Sequence, residues 1–286
     1  YRMIFDKERC VALPFLNIKK KYIGIDYGCM WGNLLVEASK KSKYMVGVDQ
    51  TLDSLKFVKK RINENKIKNI SLINENLRNN IPLENSFDFS IVNGVLEWIP
   101  TREKVNLKTF FTPSQKNNDF KSDPEKDQLN FLKMVFKNLK KDGKLYLAIE
   151  NKFDYQYFLW KRDPHSDLFY TTFLPRNISN IISKIFKKKK YVNYIYSKNE
   201  LLKILNDVGF CEVKIYAAFP DYRFPKKIIS LEKKYKSDFS LFKYEGSNNS
   251  LIARIFKFIR KCLDYVIYKK LKLFYFSPSF IIIAKK

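Results

Sequence analysis

The residues from Tyr22 to Gly32 join an apolar run to a glycine-bearing turn, and they carry the first chemical signal of the chain. The run contains β-branched side chains and ends at Asp26, and an apolar helical pattern follows the turn. Glycine permits a sharp turn and a close approach to a ligand because it has no Cβ. The unpaired N–H groups at the start of the helix then face that ligand. The pattern therefore predicts a strand, a ligand-binding turn and a helix N-terminus.

A second acidic residue, Asp49, ends the next apolar run. Its distance from Gly28, roughly 20 residues, is that of a carboxylate that accepts hydrogen bonds from a ribose. The side chains of Met30 and Trp31 fill the space that a pyrophosphate would need. Asp26 would repel a phosphate but suits an ammonium group. These residues predict a nucleoside-bearing cofactor rather than a dinucleotide.

The turn resembles motif I of the class I S-adenosylmethionine-dependent methyltransferases, which usually reads D-x-G-C-G-x-G. The matching residues are Asp26, Gly28, Cys29 and Gly32. Met30 replaces the middle glycine and Trp31 a residue that is usually small. The resemblance implies S-adenosylmethionine as cofactor. It also implies an α/β fold, a Rossmann-like doubly wound seven-stranded sheet of order 3-2-1-4-5-7-6, with helices on both faces and an insertion between the last two strands.

Alternating strand and helix patterns along the chain support that fold. They predict strands over 22–26, 44–49, 69–73, 87–92, 144–151, 210–225 and 279–286. They predict helices over 33–41, 53–66, 129–139, 197–209 and 251–272. Ser197 and Glu200 have the spacing of a capping box at the start of the fourth of these helices.

The resemblance assigns cofactor contacts to the carboxyl ends of the first four strands. The predicted cofactor-binding residues are Asp26, Gly28, Cys29, Gly32, Asp49, Gln50, Asn76, Leu77 and Asn93. Asn76 stands where the family usually has an acidic residue near the adenine, and its amide can donate to and accept from a base edge. An ordinary loop asparagine is the open alternative.

Methyl transfer from a sulfonium is an in-line displacement, so the protein mainly aligns the nucleophile, the methyl carbon and the sulfur. A hydroxyl acceptor also needs a general base within hydrogen-bond reach. His165, the only histidine, titrates in a suitable range, and Glu97 follows the fourth strand on the active-site side. Either residue is hypothesised to be the catalytic base. The alternatives are a structural histidine and a helix N-terminal acid favoured by the dipole.

Four stretches, GVLEW, IENKFDYQYF, DPHSD…LPR and FPDYRFP, resemble a narrower group of methyltransferases associated with bacterial and archaeal cell-surface polysaccharide synthesis. This resemblance implies that the acceptor is a sugar hydroxyl of a cell-surface glycan or of a small precursor molecule. It also implies acceptor-side roles for Arg176, Asp221 and Tyr222. Four aromatic residues after the fifth strand suit either stacking on a sugar ring or a place in the core: Phe153, Tyr155, Tyr157 and Trp160.

The formal net charge is +26, from 55 Lys and Arg against 29 Asp and Glu. Such a balance favours anionic partners, namely nucleic acid, an anionic lipid surface or a phosphorylated substrate, although a Lys-rich genome explains it equally well. The four cysteines lie far apart without a C-x-x-C pair, so no metal site or disulfide framework is predicted. With no signal peptide and no apolar run of about 18 residues, we expect a cytoplasmic protein.

A single methyltransferase domain is predicted over residues 1–286. Residues 101–128 are polar, and a loop of this length is usually functional or disordered, so we expect a lid. Residues 223–276 form the insertion, whose basic amphipathic helix over 251–272 either lies on an anionic membrane surface, at the inner face of the membrane, or packs on the domain or a partner subunit. Packing is the favoured alternative.

Two other functions stay open. The charge is compatible with a nucleic-acid methyltransferase, but the chain has no N-P-P-[FY] motif after the fourth strand, where it reads N-G-V-L. The side chains of Met30 and Trp31 motivate a non-catalytic binding module that keeps the fold.

Overall fold

The structure, a computed structural model, describes residues 2–101, 123–232 and 251–286. The described residues form one mixed sheet in the order β3-β2-β1-β4-β5-β8-β6-β7. Its strands are β1 (Ile23–Tyr27), β2 (Tyr44–Asp49), β3 (Ile70–Asn74), β4 (Phe87–Asn93), β5 (Leu139–Glu150), β6 (Cys211–Phe219), β7 (Lys227–Ser230) and β8 (Ser279–Lys285).

The first five strands pair in parallel, and helices cover the sheet. The described helices are α1 (Arg2–Phe5), α2 (Asn33–Ser39), α3 (Leu52–Glu64), α4 (Pro124–Asn138), α5 (Tyr155–Leu159), α6 (Arg176–Lys187), α7 (Lys198–Val208) and α8 (Leu251–Asp264). The predicted capping box begins α7, since Ser197 Oγ accepts from the Glu200 N–H and the Glu200 carboxylate accepts from the Ser197 N–H.

The predicted strand order is confirmed with one addition. Strand β8 lies antiparallel between β5 and β6, as the predicted order requires of the last strand. The prediction of seven strands was wrong because residues 227–230 of the insertion pair antiparallel with the end of β6 and add an eighth strand at the edge. The central strands β1, β4 and β8 are almost wholly buried, as expected where helices cover both faces of a sheet.

Several predicted boundaries need correction. Strand β5 begins at Leu139 rather than at 144, and β6 ends at Phe219 rather than at 225. Helix α4 begins at Pro124 rather than at 129, because the Asp123 carboxylate accepts a hydrogen bond from the Glu125 N–H and caps the helix. The loop predicted over 101–128 is therefore shorter, and its residues 102–122 lie outside the described part of the chain. The basic helix predicted over 251–272 is α-helical only to Asp264 and continues as π-helical turns over Tyr265–Lys270.

The described residues contain no helix that is both long enough and apolar enough to cross a lipid bilayer. Residues 233–250 of the predicted insertion also lie outside the described ranges.

Candidate active site

A pocket opens at the carboxyl ends of β1 and β4, beside the turn that leads into α2. Asp26 and the turn residues after it form one wall, and Asn93 at the end of β4 forms another. Met3 and Arg9, which precede the sheet in the chain, close the third side. Ligands of open α/β sheets bind at this edge, where the strand order reverses.

The turn of the pocket depends on left-handed backbone conformations. Gly28 and Gly32 have φ values of 70° and 71°, and a Cβ at Gly28 would lie 2.5 Å from a Val95 methyl carbon. Glycine is therefore required there. Met30 also adopts a left-handed conformation, with φ of 46°, although it carries a side chain. Met30 thus adopts a conformation that favours glycine, at the position where the motif usually has one.

Asp49, at the end of β2, stabilises this turn through hydrogen bonds to its carboxylate. Its Oδ2 accepts a hydrogen bond from the Met30 N–H at 2.8 Å, and its Oδ1 accepts one from the Thr51 N–H at 2.8 Å. Burial raises the pKa of Asp49, and these two N–H groups oppose that shift. Each carboxylate oxygen keeps a second lone pair. Asp49 can therefore hold the turn and still accept hydrogen bonds from a ribose.

Asp26 brings an unusual carboxyl group to the pocket, since it is only 2% exposed. Burial, with Asp49 nearby, raises the pKa of Asp26 to about 8, and the positive charge of Arg9 opposes the rise. Burial also raises the pKa of the Cys29 thiol, which therefore stays neutral. A cation that entered the pocket would favour the ionised form of Asp26.

The N-terminal segment covers the pocket and is tied to it by polar contacts. Arg61 of α3 donates to the backbone oxygens of Ile4 and Trp31, at 3.1 and 3.2 Å. Asn33 at the start of α2 donates to the Asp6 backbone oxygen at 3.2 Å and accepts from the Cys10 thiol at 2.9 Å. The segment therefore covers the pocket and places Met3 and Arg9 in its wall.

Beyond the pocket, three ionisable side chains meet. One carboxylate oxygen each of Glu97 and Glu150 and one ring nitrogen of His165 lie within 4.8 Å of one another. We call this group the acceptor cluster. Glu97 follows β4, Glu150 ends β5, and His165 lies between α5 and α6. Neither oxygen of Glu97 has a hydrogen-bond partner among the described residues, nor has Glu150 Oε2, and all three atoms are buried.

Asp163 orients the histidine of the acceptor cluster. Its carboxylate accepts from His165 Nδ1 at 3.0 Å and from the His165 N–H at 2.9 Å. Burial alone would lower the pKa of His165, but the hydrogen bond to Asp163 and the charges of Glu150 and Glu97 raise it to about 9. Burial, with Glu150 beside it, raises the pKa of Glu97 to about 8. At neutral pH the imidazole is therefore protonated, so His165 must first lose a proton before it can act as a base.

A family model described as a methyltransferase domain matches residues 18–209, more than half of the chain. The chain belongs to this methyltransferase family. The predicted enzyme class and the predicted cofactor class, S-adenosylmethionine, are confirmed at the level of the family. A search of curated proteins finds no match.

Solved structures show the same fold at low sequence identity. A proposed methyltransferase from Bacillus halodurans is 15% identical, covers 97% of this chain and 98% of its own, and has a TM-score of 0.51. Phosphoethanolamine N-methyltransferase 2 of Haemonchus contortus, solved with phosphomonomethylethanolamine and S-adenosylhomocysteine, is 13% identical, covers 98% of this chain and 52% of its own, and has a TM-score of 0.52. At these identities the likeness concerns the fold alone.

Five of the residues predicted to bind the cofactor of this methyltransferase are not among those that line the pocket. Gly32 and Asp49 belong to the turn and to its hydrogen bonds, and the other three follow β2 and β3. Gln50 is exposed directly after β2, and Leu77 packs in the core. The Asn76 side chain accepts from the Arg78 N–H at 3.0 Å, within its own turn. They follow β2 and β3, whose ends Asp49 and Asn74 lie side by side in parallel register. The structure thus places them at the predicted edge of the sheet, beside the pocket.

Of the three predicted acceptor-side residues, only Tyr222 reaches the acceptor cluster of the methyltransferase. Its hydroxyl donates to Glu150 Oε1 at 3.3 Å. A Cβ at Gly94, which has φ of 68°, would lie 2.3 Å from the same hydroxyl. Tyr222 therefore packs against the residue that follows Asn93 of the pocket.

The side chains of Arg176 and Asp221 make contacts outside the acceptor cluster. Arg176 donates to the Ile195 backbone oxygen at 2.9 Å, and its guanidinium lies over the Tyr194 ring at 4.0 Å. Asp221 pairs with the Arg223 guanidinium at 2.9 Å. Neither contact leads to the acceptor cluster.

Two residues of the candidate site, Glu150 and Asp163, were not predicted from the sequence. Glu150 had a usable signal, because it is an acid at the carboxyl end of a predicted central strand, the same position type as Asp26 and Asp49. Asp163 lies two residues before His165, and only the structure shows that the two side chains are bonded.

Proposed function

We propose that this chain is an S-adenosylmethionine-dependent O-methyltransferase that modifies a sugar hydroxyl of a cell-surface glycan or of its precursor. One observation carries the proposal. The cofactor pocket and the acceptor cluster are neighbours, because Asn93 lines the pocket and Glu97 follows only four positions later. A methyl group held in the pocket would therefore lie near a cluster of groups that can bind hydroxyls.

The pocket and the turn beside it offer a complementary group for each polar part of the cofactor. Asp49 suits the ribose hydroxyls, and ionised Asp26 suits the ammonium of the methionine part. Asn93 is 7% exposed, and its Nδ2 has no hydrogen-bond partner among the described residues. Because an unpaired buried amide is costly, we assign this donor to the bound cofactor or to the acceptor.

The acceptor cluster supports transfer to oxygen. A hydroxyl must lose its proton as the methyl group arrives, and the cluster brings ionisable groups together near the pocket end of β4. Sugar specificity is supported by the sequence resemblance, since DPHSD supplies Asp163 and His165 and FPDYRFP supplies Tyr222. These two segments meet at one site through Glu150.

Exposed aromatic rings add a surface that a sugar could use. Tyr155 and Tyr157, predicted as stacking candidates, are buried in the core at 6% and 0% exposure. Phe158, Phe169 and Tyr170 are instead 40% to 44% exposed. Their apolar faces suit the C–H face of a sugar ring.

The test begins with S-adenosylmethionine binding to the full chain, measured by calorimetry with the Asp49→Ala variant. A panel of nucleotide-linked sugars, lipid-linked sugars and RNA is then assayed for S-adenosylhomocysteine release, and NMR locates the new methoxy group. We expect transfer to a sugar, with Glu97→Gln losing turnover while its affinity for S-adenosylmethionine is unchanged. Transfer to RNA with a steep salt dependence would establish the nucleic-acid alternative. Failure of the wild type to bind S-adenosylmethionine would leave a non-catalytic binding module.

We also propose that helix α8 lies on an anionic membrane surface, where a lipid-linked acceptor would be found. The C-terminal end of this helix is bonded to the domain, since Tyr155 donates to the Asp264 carboxylate at 2.7 Å. In the N-terminal half of the helix, three apolar side chains are exposed: Ile255 at 51%, Phe256 at 49% and Phe258 at 68%. With a net charge of +26 on the chain, an apolar face of this kind suits the interface of an anionic bilayer.

A further inference from the structure

The acceptor cluster has the donor set of a metal site. We propose that Glu97, Glu150 and His165 bind one divalent transition-metal ion, with the character of Mn²⁺ or Zn²⁺, beside the cofactor pocket. Metal binding itself is independent of the proposed function. The role that we give to the metal, which is to hold the acceptor, rests on that function.

The geometry of the three donors suits a single ion. Their ligand atoms all lie within 4.8 Å of one another. Two ligands that are each about 2.1 Å from a metal ion are at most about 4.2 Å apart. In a tetrahedral site the same ligand atoms are about 3.4 Å apart, so side-chain shifts of up to about 1 Å bring all three to bonding distance. Two carboxylates with one imidazole suit Mn²⁺ or Zn²⁺ better than Ca²⁺, which takes oxygen ligands.

The unpaired carboxylate oxygens are independent support for the site. Glu97 is 0% exposed, yet neither of its oxygens has a hydrogen-bond partner among the described residues, and Glu150 Oε2 is likewise unpaired and buried. Buried carboxylates are normally paired with a charge or coordinate a metal. A cation between them supplies the missing partner for both side chains.

The surroundings of the cluster resemble the outer shell of a metal site. His165 donates Nδ1–H to Asp163 at 3.0 Å, which leaves Nε2 as the ligand atom. Metal-binding histidines almost always give their other nitrogen to such a partner. The Tyr222 hydroxyl bonds Glu150 Oε1 at 3.3 Å and so orients the second carboxylate. All three ligands are therefore either held in place or confined by burial.

Three protein ligands leave positions open on the ion. Two neighbouring oxygens of an acceptor, such as the vicinal hydroxyls of a sugar, fit those positions. A metal-bound hydroxyl loses its proton more readily, and this proton passes to solvent. The oxygen then attacks the methyl carbon, so that the C–O bond forms as the C–S bond breaks, and the sulfur keeps the electron pair as S-adenosylhomocysteine. The inferred acceptor class is thus a vicinal diol.

The experiment measures Mn²⁺ and Zn²⁺ binding to the full chain after dialysis against a chelator. Loss of the free Mn²⁺ signal in electron paramagnetic resonance gives the stoichiometry, and calorimetry gives the affinity for both ions. We expect one ion per chain, loss of binding in Glu97→Gln and His165→Gln, and binding about 10- to 100-fold weaker in Asp163→Asn. Glu64→Gln, on the exposed face of α3, is the matched control and should bind as the wild type does.

Two measurements distinguish variants that have lost the metal site from variants that have failed to fold. Each variant is checked for S-adenosylmethionine affinity, which depends on Asp26 and Asp49 and not on the cluster. The metal should raise the melting temperature of the wild type and leave that of Glu97→Gln unchanged. Saturable binding of neither ion, or binding undiminished in both Glu97→Gln and His165→Gln, overturns the inference. In that case intact S-adenosylmethionine binding leaves the proposed function standing, whereas metal binding without S-adenosylmethionine binding refutes the proposed function alone.

Discussion

The protonation of Asp26 should be visible in the thermodynamics of cofactor binding. Burial raises the pKa of this carboxyl to about 8, so the free protein holds it mostly protonated at neutral pH. An α-amino group has a pKa of about 7.7–8.0, so the cofactor arrives at neutral pH as an ammonium. If the two groups pair as ions, binding at neutral pH must expel the Asp26 proton.

The magnitude follows from these two pKa values. With a pKa of about 8, Asp26 is ionised in roughly one molecule in ten at pH 7 and in one in a hundred at pH 6. About one amine in ten is neutral at pH 7 and takes up a proton on binding, so the net release at pH 7 should be about 0.8 proton. Binding at pH 9, where the amine is mostly neutral, should take up about the same net amount. The affinity should be greatest near pH 8 and should fall about 20-fold by pH 6.

Calorimetry in two buffers of different ionisation enthalpy measures the proton count directly. Asp26→Asn cannot ionise, so it should bind more weakly at pH 8 and release no proton at pH 7. Asp53→Asn removes an exposed carboxylate at the start of α3 and should keep the wild-type proton count. A wild type that releases no proton at pH 7, or an Asp26→Asn variant that releases the same amount, would refute the pairing of Asp26 with the ammonium.

Three further predictions concern the turn, the ribose and the membrane. Asp49→Ala should weaken S-adenosylmethionine binding about 10- to 100-fold in calorimetry, because it removes charge-assisted hydrogen bonds to the ribose and frees the turn; an unchanged affinity would contradict this role. Gly32→Ala should lose about 1–2 kcal/mol of unfolding free energy in urea titrations, since its φ is 71° and a Cβ would press on the Val58 methyl carbons at 3.0 Å. Replacing Phe256 and Phe258 by serine should lower binding to anionic vesicles at least about tenfold in co-sedimentation, with neutral vesicles as the control; equal binding by both proteins would exclude α8 as the contact.

The cofactor half of the site could be predicted because its signals are local. Strand, glycine turn and helix follow one another within a single βαβ unit, and the carboxylate at the end of β2 lies at a fixed spacing from the turn. The structure then shows why the odd residue Met30 is tolerated, since its backbone takes the left-handed conformation and its N–H bonds Asp49. A motif match cannot show this bond, which joins residues 19 positions apart.

The rest of the site depends on contacts between distant parts of the chain. Met3 and Arg9 reach the pocket because the N-terminal segment folds back on α2 and α3. No local sequence pattern predicts that these residues contact the pocket. The aromatic run after β5 is ambiguous for the same reason. Burial of Tyr157 and exposure of Phe158 follow from how α5 meets the sheet, and neighbouring aromatics in a sequence do not reveal it.

The acceptor cluster is not explained by a contribution to the stability of the fold. Burying a carboxyl group without hydrogen bonds costs free energy, and apolar residues of similar volume in place of a buried charged group are often neutral or stabilising. Glu97 bears this cost, since both of its oxygens are buried without a hydrogen-bond partner among the described residues, and the charge of His165 offsets it only in part. Its backbone is nevertheless held firmly, because Asn193 donates to the Glu97 backbone oxygen at 2.9 Å. A costly group that is rigidly positioned next to a cofactor pocket is best explained by a ligand that completes its bonding, and in this methyltransferase that ligand is the acceptor together with the ion that we infer.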